Sequence, residues 1–446
     1  MTTPSYKTYW NEARETLPRE QLRAYQLAQL QQHLAWAYDR SPYYRRAFDA
    51  YKVKPDDLRS PDDLRRFPFV DKRIERDRQL ARPLLGDIAA VPEEDVVFVS
   101  ASSGTTGVPT LSPFTAGDFT DFQFAESQLF WGVGMRPTDR YLHALNFTLF
   151  VGGPDVIGAQ NLGALTIWAG TIPSDRLLYI MKEFKPTITW TTPSYAWHLG
   201  ETARAQGIDP AKDLTIRKII VAGETGGSIP ATRAAIERLW NAELYDFYGI
   251  SDIFGACAGM CRQREGLHLV EDQILLEVLD QHTQEPVPEG QPGEMVLTTL
   301  KKQARPMIRF RTGDIVTATT TPCPCGRTSV RFTVIGRLDD MFIVSGVNVF
   351  PSDIEFVVRG VAGLNGEYRI TVLEENHLSK FDLEVERENG NQAADRALAE
   401  RVTHETKTRL GVRPRTVTVQ PPGTLPRATH KAKRLVDLRG AARQGA

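Results

Sequence analysis

The stretch SASSGTTGVPT at residues 100–110 ends the apolar run DVVFVS at 95–100 and is dense in hydroxyl groups and glycines. An apolar run of this kind is typical of a β-strand. Gly104 and Gly107 allow the backbone to turn so that several N–H groups face one anion. Four side chains add hydroxyl donors: Ser102, Ser103, Thr105 and Thr106. The stretch therefore predicts a phosphate-binding loop after a strand, and the alternative is an ordinary Ser/Gly-rich connector.

A helix is predicted to begin just beyond this loop. Thr115 and Asp118 have the spacing of a capping box. A helix N-terminus beside the loop favours the binding of phosphate. The Walker A pattern does not fit, because no Gly-Lys-Ser/Thr follows the glycines.

Length and composition describe a globular protein of ordinary charge. The chain has 446 residues, which predicts about two or three domains. Its 54 basic and 55 acidic residues give a net charge of −1, so neither nucleic acid nor an anionic membrane surface is an expected partner. No apolar run approaches the roughly 20 residues of a membrane helix, and the N-terminal sequence MTTPSYKTYW lacks the apolar core of a signal peptide. We therefore expect a cytoplasmic protein.

Strand and helix patterns alternate between residues 95 and 300, after a helical N-terminal lobe at residues 1–90. Such alternation predicts an α/β fold with mostly parallel sheets covered by helices. Ligands of these folds bind at the carboxyl ends of the strands, where TPSY (192–195), AGETGG (222–227) and YGISD (248–252) fall. Three tryptophans of this region are predicted to lie in the core: Trp168, Trp190 and Trp197.

Seven motifs, met in order along nearly the whole chain, resemble the adenylate-forming superfamily of acyl-CoA synthetases and adenylation domains, and most of all its phenylacetate-coenzyme A ligase branch. They are SSGTTGVPT, TPSY, AGETGG, YGISD, RFRTGD at 309–314, GRLDDMFIVSGVNVFPSDIE at 336–355 and RATHKAKRL at 427–435. The resemblance implies an enzyme that uses ATP to activate a carboxylic acid.

The resemblance also implies an adenosine site. Tyr248 offers a flat face to adenine, and the carboxylate of Asp314 accepts hydrogen bonds from the ribose hydroxyls. The guanidinium of Arg337 can reach the ribose or a phosphate. The other residues of the implied adenosine site border the adenine: Gly223, Glu224, Asp246 and Gly249.

Two positions depart from the family pattern. Asp252 stands where relatives carry the glutamate that helps to hold magnesium. Aspartate is a suitable magnesium ligand but is one methylene shorter, so the metal is expected to sit slightly differently or to bind through water. Val108 stands where relatives often carry lysine, which leaves pyrophosphate with one cation fewer and gives more weight to the N–H groups of the loop.

The acyl pocket is assigned to ALNFTLFVGG at residues 144–153, which aligns with the segment that lines the arene pocket of phenylacetate-CoA ligases. Phe147, Phe150 and Gly152 suit a flat ring, Tyr195 is a further candidate, and a buried strand and turn is the alternative. Those ligases usually read GAEPW where this chain has GETGG at 223–227. This loss of bulk admits a substituted benzoate, such as a hydroxy- or aminobenzoate, beside phenylacetate.

Three cysteines and one histidine form a candidate structural zinc site. They are Cys261 and His268 in CRQREGLH, and Cys323 and Cys325 in the Thr/Pro-rich loop TATTTPCPCGRT. Three thiolates and an imidazole make a closed tetrahedral set with no open position for catalysis. The alternative is that the cysteines pack as small apolar residues. Cys257 is left over, as a spare thiol or an alternative ligand.

The character of the sequence changes after Gly336. Strand-like runs with two helical segments between them predict a small α+β domain. The resemblance places a hinge at Asp339 and a catalytic lysine at Lys431, with Lys433 as the nearby competitor. The predicted organisation is an N-terminal domain at 1–337, with a zinc-stabilised segment at 257–326, and a mobile C-terminal lid domain at 338–446.

The resemblance implies a two-step reaction. A carboxylate attacks the α-phosphate of ATP, with magnesium and Lys431 neutralising the developing charge, and coenzyme A then displaces AMP. The expected protein is an AMP-forming aryl-CoA ligase for an aromatic carboxylic acid, and relatives suggest a homodimer. Two alternatives are an adenylating enzyme that loads a carrier-protein thiol and a non-catalytic nucleotide-binding regulator.

Overall fold

A computed structural model of the chain describes residues 6–82, 84–102, 109–147, 152–344, 347–375, 378–427 and 434–439. The chain divides into two compact units. The first contains Met1–Thr191, Leu214–Ala222 and Tyr245–Thr333, and the second contains Thr192–Asp213, Gly223–Leu244 and Val334–Ala446. The second unit therefore joins the C-terminal segment to two shorter segments from the middle of the chain.

The helices of the described chain are α1 Glu12–Glu15, α2 Arg19–Arg40, α3 Pro42–Ala50, α4 Lys72–Ala81, α5 Ala116–Gly132, α6 Val156–Asn161, α7 Ser174–Phe184, α8 Pro193–Ala205, α9 Pro210–Asp213, α10 Pro230–Trp240, α11 Pro351–Gly360 and α12 Asp395–Leu410. The strands are β1 Val96–Ala101, β2 Leu111–Thr115, β3 Arg140–His143, β4 Leu165–Trp168, β5 Ile188–Thr191, β6 Lys218–Val221, β7 Glu243–Ile250, β8 Phe254–Gly259, β9 Leu267–Leu269, β10 Ile274–Leu279, β11 Gly293–Thr299, β12 Phe310–Thr319, β13 Arg331–Arg337, β14 Phe342–Val344, β15 Val347–Val349, β16 Leu364–Glu375, β17 Leu378–Arg387, β18 Thr416–Gln420 and β19 Leu435–Asp437. Within the described ranges, no helix has both the length and the apolar character needed to cross a bilayer.

The N-terminal lobe contains the helices α1 to α4. The buried face of α2 includes Leu22, Leu30 and Leu34. Helix α3 begins at Pro42, because Ser41 accepts a hydrogen bond from the backbone N–H of Tyr44 and proline suits the first helical turn. The fully buried Tyr44 side chain donates to the carbonyl of Pro306 at 2.8 Å. The lobe is thereby anchored to the loop between β11 and β12.

One sheet of the first unit continues through eleven strands in the order β10-β11-β12-β13-β9-β8-β7-β6-β5-β3-β4. Strands β3 to β6 pair in parallel. The pairs of β7 with β8, β8 with β9, β9 with β13, β10 with β11 and β11 with β12 are antiparallel. Helices connect the parallel strands, as parallel pairing requires, whereas turns and loops connect the others. The predicted α/β class is confirmed, with a sheet that is parallel in one half.

Three predicted site segments leave the sheet after parallel strands. Residues 144–153 follow β3, residues 192–195 follow β5 and residues 222–227 follow β6. The carboxyl ends of parallel strands meet at one edge of a sheet, which is where α/β folds bind their ligands. The fourth segment differs, because Tyr248 and Gly249 lie within β7 itself.

A separate hairpin of β1 and β2 carries the predicted phosphate loop between its strands. Helix α5 begins directly after β2, and the predicted capping box is confirmed. The backbone N–H of Thr115 donates to Asp118 Oδ2 at 3.0 Å, and that of Asp118 donates to Thr115 Oγ1 at 3.1 Å. The Asp118 carboxylate also accepts from the N–H groups of Gln303 and Ala304 at 2.6 and 2.8 Å. The start of α5 is thus fixed to the loop between β11 and β12.

The C-terminal part of the second unit contains the small α+β fold that the sequence predicted. Its sheet has the order β18-β17-β16-β19, with β16 and β17 antiparallel and the outer strands parallel to their neighbours. Its core is apolar and includes Phe342, Ile354, Val358, Ile370, Phe381, Leu383 and Val402. Helices α11 and α12 pack against strands of this sheet and against each other.

His33 on α2 predicts a specific sensitivity to acid. Its buried ring lies 2.9 Å from Thr299 Oγ1, and burial lowers the pKa of His33 from 6.5 to about 3. Between these values the unfolded chain binds a proton that the folded chain does not, so stability falls as pH falls. We expect His33 to contribute about 1.4 kcal/mol of lost unfolding free energy per pH unit below 6.5. Urea unfolding at several pH values between 5 and 6.5 gives the unfolding free energy as a function of pH. This dependence on pH should be shallower in His33→Gln than in the unsubstituted chain by this amount, and an equal dependence would refute the prediction.

Candidate active site

The stem of the predicted phosphate loop is a regular hairpin. Ser100 pairs with Ser112 across β1 and β2, and the backbone N–H of Ser102 donates to the carbonyl of Thr110 at 3.0 Å. The two limbs are therefore held together where the loop begins. Several predicted site residues lie outside the described chain: Ser103, Gly104, Thr105, Thr106, Gly107, Phe150 and Lys431.

A glutamine of α4 holds the outgoing limb of the loop. The side chain of Gln79 donates to the carbonyl of Pro109 at 3.0 Å and accepts from the N–H of Leu111 at 2.8 Å. A primary amide carries a donor and an acceptor, so one side chain fixes the backbone at both points. Sequence reasoning missed Gln79, since a glutamine within a helical pattern carries no signal of a distant partner.

The clearest pair of predicted site residues is Tyr248 and Asp314, which lie in the same compact unit. The Tyr248 hydroxyl donates to Asp314 Oδ2 at 2.5 Å. Phe332 packs edge-on against the Tyr248 ring, with centroids 5.4 Å apart. Asp314 is buried and Tyr248 is half-buried. The structure thus brings together the ring and the carboxylate that the sequence assigned to adenine and ribose.

A bulge in β12 orients Asp314. The register of the β11–β12 pair shifts here, and Gly313 has a φ of +76°, a left-handed conformation that glycine adopts without steric cost. The Thr312 hydroxyl donates to the carbonyl of Met295 at 2.9 Å and accepts from the N–H of Asp314 at 3.0 Å. The TGD motif is therefore a fixed bulge in a strand.

Asp246 and Gly249 flank Tyr248 on β7. Asp246 is buried, and its backbone N–H lies 3.4 Å from Met260 Sδ. A Cβ atom at position 249 would lie 2.5 Å from the carbonyl oxygen of Gly255. Only glycine allows β7 and β8 to approach so closely, so Gly249 is required by the strand that presents Tyr248. Its contact with adenosine stays a prediction.

In the second unit the TPSY and AGETGG segments meet. The backbone N–H of Ser194 donates to Glu224 Oε1 at 2.8 Å. Thr192 caps α8 by accepting from the N–H of Tyr195 at 3.2 Å, and the Tyr195 side chain is buried. Gly223 has a φ of +90°, which the turn after β6 requires. The two segments form one polar corner at the start of α8, and the adenosine and acyl roles of these residues stay predictions.

Arg337 and the predicted hinge residue Asp339 form a bidentate ion pair. Arg337 Nε lies 2.8 Å from Asp339 Oδ1, and its Nη2 lies 3.2 Å from Oδ2. The Asp339 carboxylate is exposed, and exposed pairs contribute about 0–1 kcal/mol. The ribose or phosphate role of Arg337 stays a prediction.

The carboxylate of Asp252 lies in a buried charged cluster. Its oxygens are 3.5 Å from Lys72 Nζ and 4.0 Å from Arg305 Nη2, and Arg305 also pairs with Glu75 at 2.9 Å. Burial raises the pKa of Glu75, Arg305 opposes the rise and Asp252 adds to it. Carboxylate oxygens are the donors that magnesium prefers, so the chemistry fits. The nearest partners of Asp252 are nevertheless protein side chains, and its magnesium role stays a prediction.

Trp168 corrects the sequence interpretation, which placed it in the core. Its side chain is 50% exposed and stacks on Phe147, with centroids 5.6 Å apart and an interplanar angle of 10°. The reason is that β4 is the last strand of the sheet, so no further strand covers it. Trp190 on the inner strand β5 is buried as predicted, and Trp197 on α8 is half-buried. The predicted arene-pocket residue Phe147 thus belongs to a pair of parallel rings.

Two glycines make room for Phe147. A Cβ atom would lie 2.7 Å from the Phe147 Cα at Gly153 and 2.8 Å from its ring at Gly170. At Gly152, a predicted pocket member, it would lie 3.3 Å from Leu145 Cδ1. Gly153 and Gly170 therefore allow the close packing of Phe147, whereas Gly152 faces Leu145.

Two buried carboxyl groups near this segment were missed from the sequence. Glu126 on α5 and Asp155 before α6 are fully buried, and neither Glu126 oxygen nor Asp155 Oδ1 has a hydrogen-bond partner within the described residues. Burial raises the pKa of both, and the charge of Asp155 adds to the rise at Glu126. Because the two carboxyl groups are shielded from water and would carry like charges, ionisation of both at once is disfavoured. Charge pattern alone could not find them, because acidic residues in helices are usually exposed.

The four predicted zinc ligands come together in the first unit. One ligand atom from each of four residues lies within 4.8 Å of the others: Cys261, His268, Cys323 and Cys325. Two of the thiol sulfurs are 3.7 Å apart, and Cys325 Sγ lies 3.5 Å from His268 Nε2. Such separations suit ligands at about 2.0–2.3 Å from one tetrahedral zinc. Ser329 Oγ, 3.0 Å from Nδ1, orients the imidazole, and Cys257 stays outside the group.

Comparison with known proteins defines the class. Residues 32–300 match the profile of the AMP-binding enzyme family, and residues 346–439 match the AMP-binding enzyme C-terminal domain. The chain therefore belongs to the AMP-binding enzyme family. The second match covers the small α+β fold, which explains why that fold has its own core.

Individual relatives narrow the comparison. The chain is 37% identical to the phenylacetate-coenzyme A ligase of Thermus thermophilus over 95% of this chain and 98% of the relative. It is 33% identical to the phenylacetate-coenzyme A ligase of Escherichia coli over 95% and 97% of the two chains. A crystal structure of 2-hydroxyisobutyryl-CoA ligase in the postadenylation state is similar with a TM-score of 0.93 and 31% identity, over 100% of this chain and 95% of that one.

Proposed function

We propose that this chain is an ATP-dependent aryl-CoA ligase, which converts an aromatic carboxylic acid to its acyl-adenylate and then to its coenzyme A thioester. An AMP-forming acid-thiol ligase is the class that the family and the phenylacetate-CoA ligases support. The Tyr248–Asp314 pair is the observation that supports the binding of ATP. The stacked Phe147 and Trp168 rings support an aromatic acid.

In the first step, the formation of the acyl-adenylate, each group of residues has a separate role. The Asp314 carboxylate accepts from the ribose hydroxyls, and the Tyr248 ring stacks on adenine. The N–H groups of the phosphate loop bind the phosphates that leave as pyrophosphate. An oxygen of the acid forms a bond to the α-phosphorus, and Lys431 stabilises the charge that develops there. Magnesium, held by Asp252, would neutralise phosphate charge when bound.

In the second step the coenzyme A thiol attacks the carbonyl carbon of the acyl-adenylate and AMP leaves. We propose that the lid domain at 338–446 turns about Asp339 between the steps, so that Lys431 serves only the first. The bidentate pair between Arg337 and Asp339 supports this assignment, since it joins the hinge to a nucleotide-binding cation through a weak contact.

The test of adenylation is acid-dependent exchange of labelled pyrophosphate into ATP. The panel contains phenylacetate, benzoate, hydroxy- and aminobenzoates, and the aliphatic 2-hydroxyisobutyrate. We expect exchange with at least one aromatic acid at a higher kcat/KM than with 2-hydroxyisobutyrate. A preference for the aliphatic acid would refute the aromatic pocket. ATP binding without exchange for any acid would identify the non-catalytic regulator instead.

Asp314→Ala should weaken ATP binding by tenfold or more. The reason is the loss of charge-assisted hydrogen bonds to the ribose, each worth about 1.5–3 kcal/mol. Tyr248→Phe is the matched control, because it removes the hydroxyl that bonds Asp314 but keeps the ring for adenine. Calorimetric titration with ATP decides the point. Equal affinity for ATP in Asp314→Ala and in the unsubstituted chain would refute the role of Asp314 in binding the ribose.

We further propose that the Cys/His group holds one structural zinc ion. Ligand type, number and spacing support it, and four protein ligands leave no open position for catalysis. In this proposal the metal fixes the loop between β12 and β13, where Cys323 and Cys325 lie, to the turn between β8 and β9.

A second candidate for the acceptor is a carrier-protein thiol. Pyrophosphate exchange does not separate it from coenzyme A, because both acceptors act after the adenylate has formed. The 37% identity to the phenylacetate-coenzyme A ligase of Thermus thermophilus, over 95% of this chain and 98% of that one, favours coenzyme A. The homodimer is a proposal that rests on the resemblance, and the cytoplasmic location is a proposal that rests on the apolar pattern of the sequence.

A further inference from the structure

The segment KKQARP at residues 301–306 contains a buried lysine to which the sequence assigned no function. Lys302 is fully buried, and its ammonium uses three donors. It donates to Ser112 Oγ at 2.7 Å, to the carbonyl of Ile253 at 2.7 Å and to the carbonyl of Asp252 at 3.2 Å. The same nitrogen lies 4.1 Å from the centroid of the Phe114 ring. An ammonium has three donors, so this side chain is fully satisfied by protein.

Its partners belong to the two segments that carry the nucleotide site. Ser112 lies on β2, the outgoing limb of the phosphate-loop hairpin. Residues 252 and 253 form the turn that follows Tyr248 and Gly249 on β7. Direct contact between the two segments is weak, since Ser112 Oγ lies 3.4 Å from the carbonyl of Asp252. Lys302 supplies the short bonds that this contact lacks.

Arg305 strengthens the same connection. Its Nη1 donates to the carbonyl of Leu111, and its Nη2 pairs with Glu75 at 2.9 Å. Gln79 on the same helix as Glu75 holds Pro109 and Leu111. The outgoing limb is therefore bonded at Pro109, Leu111 and Ser112. Arg305 approaches the turn after β7 only through the 4.0 Å ion pair with Asp252, whereas Lys302 makes hydrogen bonds to two carbonyl groups of that turn. All of these residues lie in one compact unit.

We propose that Lys302 is a positioning residue for adenylation, which holds β2, the outgoing limb of the phosphate-loop hairpin, at a set distance from the adenosine-binding strand β7. The proposal rests on the proposed function, because it gives the loop and Tyr248 their roles. ATP must meet both segments at once, so a loop that moves relative to β7 loses alignment of the α-phosphate with the attacking carboxylate. The acyl acid and coenzyme A make no such double demand.

The test compares Lys302→Met with Lys301→Met. Methionine keeps an unbranched apolar chain but has no donors, and Lys301 is the adjacent lysine, whose ammonium lies 5.8 Å from the Tyr25 ring and has no hydrogen bond among the described contacts. We expect Lys302→Met to raise the KM for ATP in pyrophosphate exchange by about tenfold, the effect of one lost charge-assisted bond. The KM for the acid, and thioester formation from supplied acyl-adenylate, should change less than twofold. Lys301→Met should match the unsubstituted chain.

Ser112→Ala keeps the proposal testable if Lys302→Met does not fold. It removes one acceptor and little volume, and it should raise the KM for ATP in the same selective way. Where Lys302→Met folds, Ser112→Ala should have no further effect in that background, since both changes break one contact. Equal losses in both half-reactions, or an unchanged KM for ATP in both variants, would mean that Lys302 only stabilises the fold. Absence of exchange in the unsubstituted chain would instead refute the proposed function.

Discussion

Lys431→Ala should slow acyl-adenylate formation by about 100-fold or more, the usual cost of removing one preorganised charge from a transition state. The assignment rests on the motif RATHKAKRL, because position 431 lies outside the described residues. The ammonium has no part once pyrophosphate has left. Chemically supplied acyl-adenylate should therefore react with coenzyme A at close to the normal rate.

The matched control for this variant is Lys433→Ala. It removes a neighbouring charge from the same motif and should leave adenylation within a few-fold of normal. Single-turnover measurement of each half-reaction separates the outcomes. Equal loss of both half-reactions in Lys431→Ala would mean that this lysine is structural, and a 100-fold loss in Lys433→Ala alone would move the role to that residue.

Asp339→Pro should affect the two half-reactions in the opposite way to Lys431→Ala. Proline fixes φ at the proposed hinge and restricts the rotation of the lid, so adenylation should survive while thioester formation fails. Asp339→Ala is the control, because it breaks the ion pair with Arg337 but leaves the backbone free. A proline variant with normal thioester formation would contradict the hinge.

Cys325→Ala should remove the bound metal and destabilise the loop between β12 and β13. Structural zinc contributes on the order of 10 kcal/mol to the folding of a small unit, which makes this the largest stability effect that we expect. Activity should fall indirectly, because no ligand of the group belongs to the nucleotide site. Metal analysis should give one zinc per chain in protein purified without added zinc or chelator.

Cys257→Ala is the matched control for the metal. Cys257 is buried on β8 but is not a member of the cluster, so its variant should keep one zinc per chain. A metal content near zero in the unsubstituted chain, together with full activity, would mean that the cysteines only pack.

The sequence predicted those features that depend on local patterns. The capping box of Thr115 and Asp118 is present because its spacing fixes both hydrogen bonds. The alternation of strands and helices predicted the parallel half of the sheet. The family motifs brought Tyr248 and Asp314 together although one lies on β7 and the other on β12. The family motifs predict such a long-range contact, whereas the hydrophobic periodicity of a segment predicts only its local structure.

Other features could not be read from the sequence, because they depend on position in the folded sheet. Trp168 is exposed only because β4 comes last in strand order, which no local pattern reveals. Lys302 is a charged residue in a polar loop, and such residues are usually solvated. Its burial requires acceptors from Ser112 and the turn at Ile253, which lie far away along the chain.

The most direct test of the central claim is product analysis with the complete substrate set. The unsubstituted chain is incubated with ATP, magnesium, coenzyme A and the most active aromatic acid of the panel, and AMP and the acyl thioester are quantified by mass spectrometry. We expect one AMP and one aryl-CoA thioester per acid consumed, with neither product formed when the acid is omitted. Formation of ADP in place of AMP, or of AMP without any thioester, would contradict it.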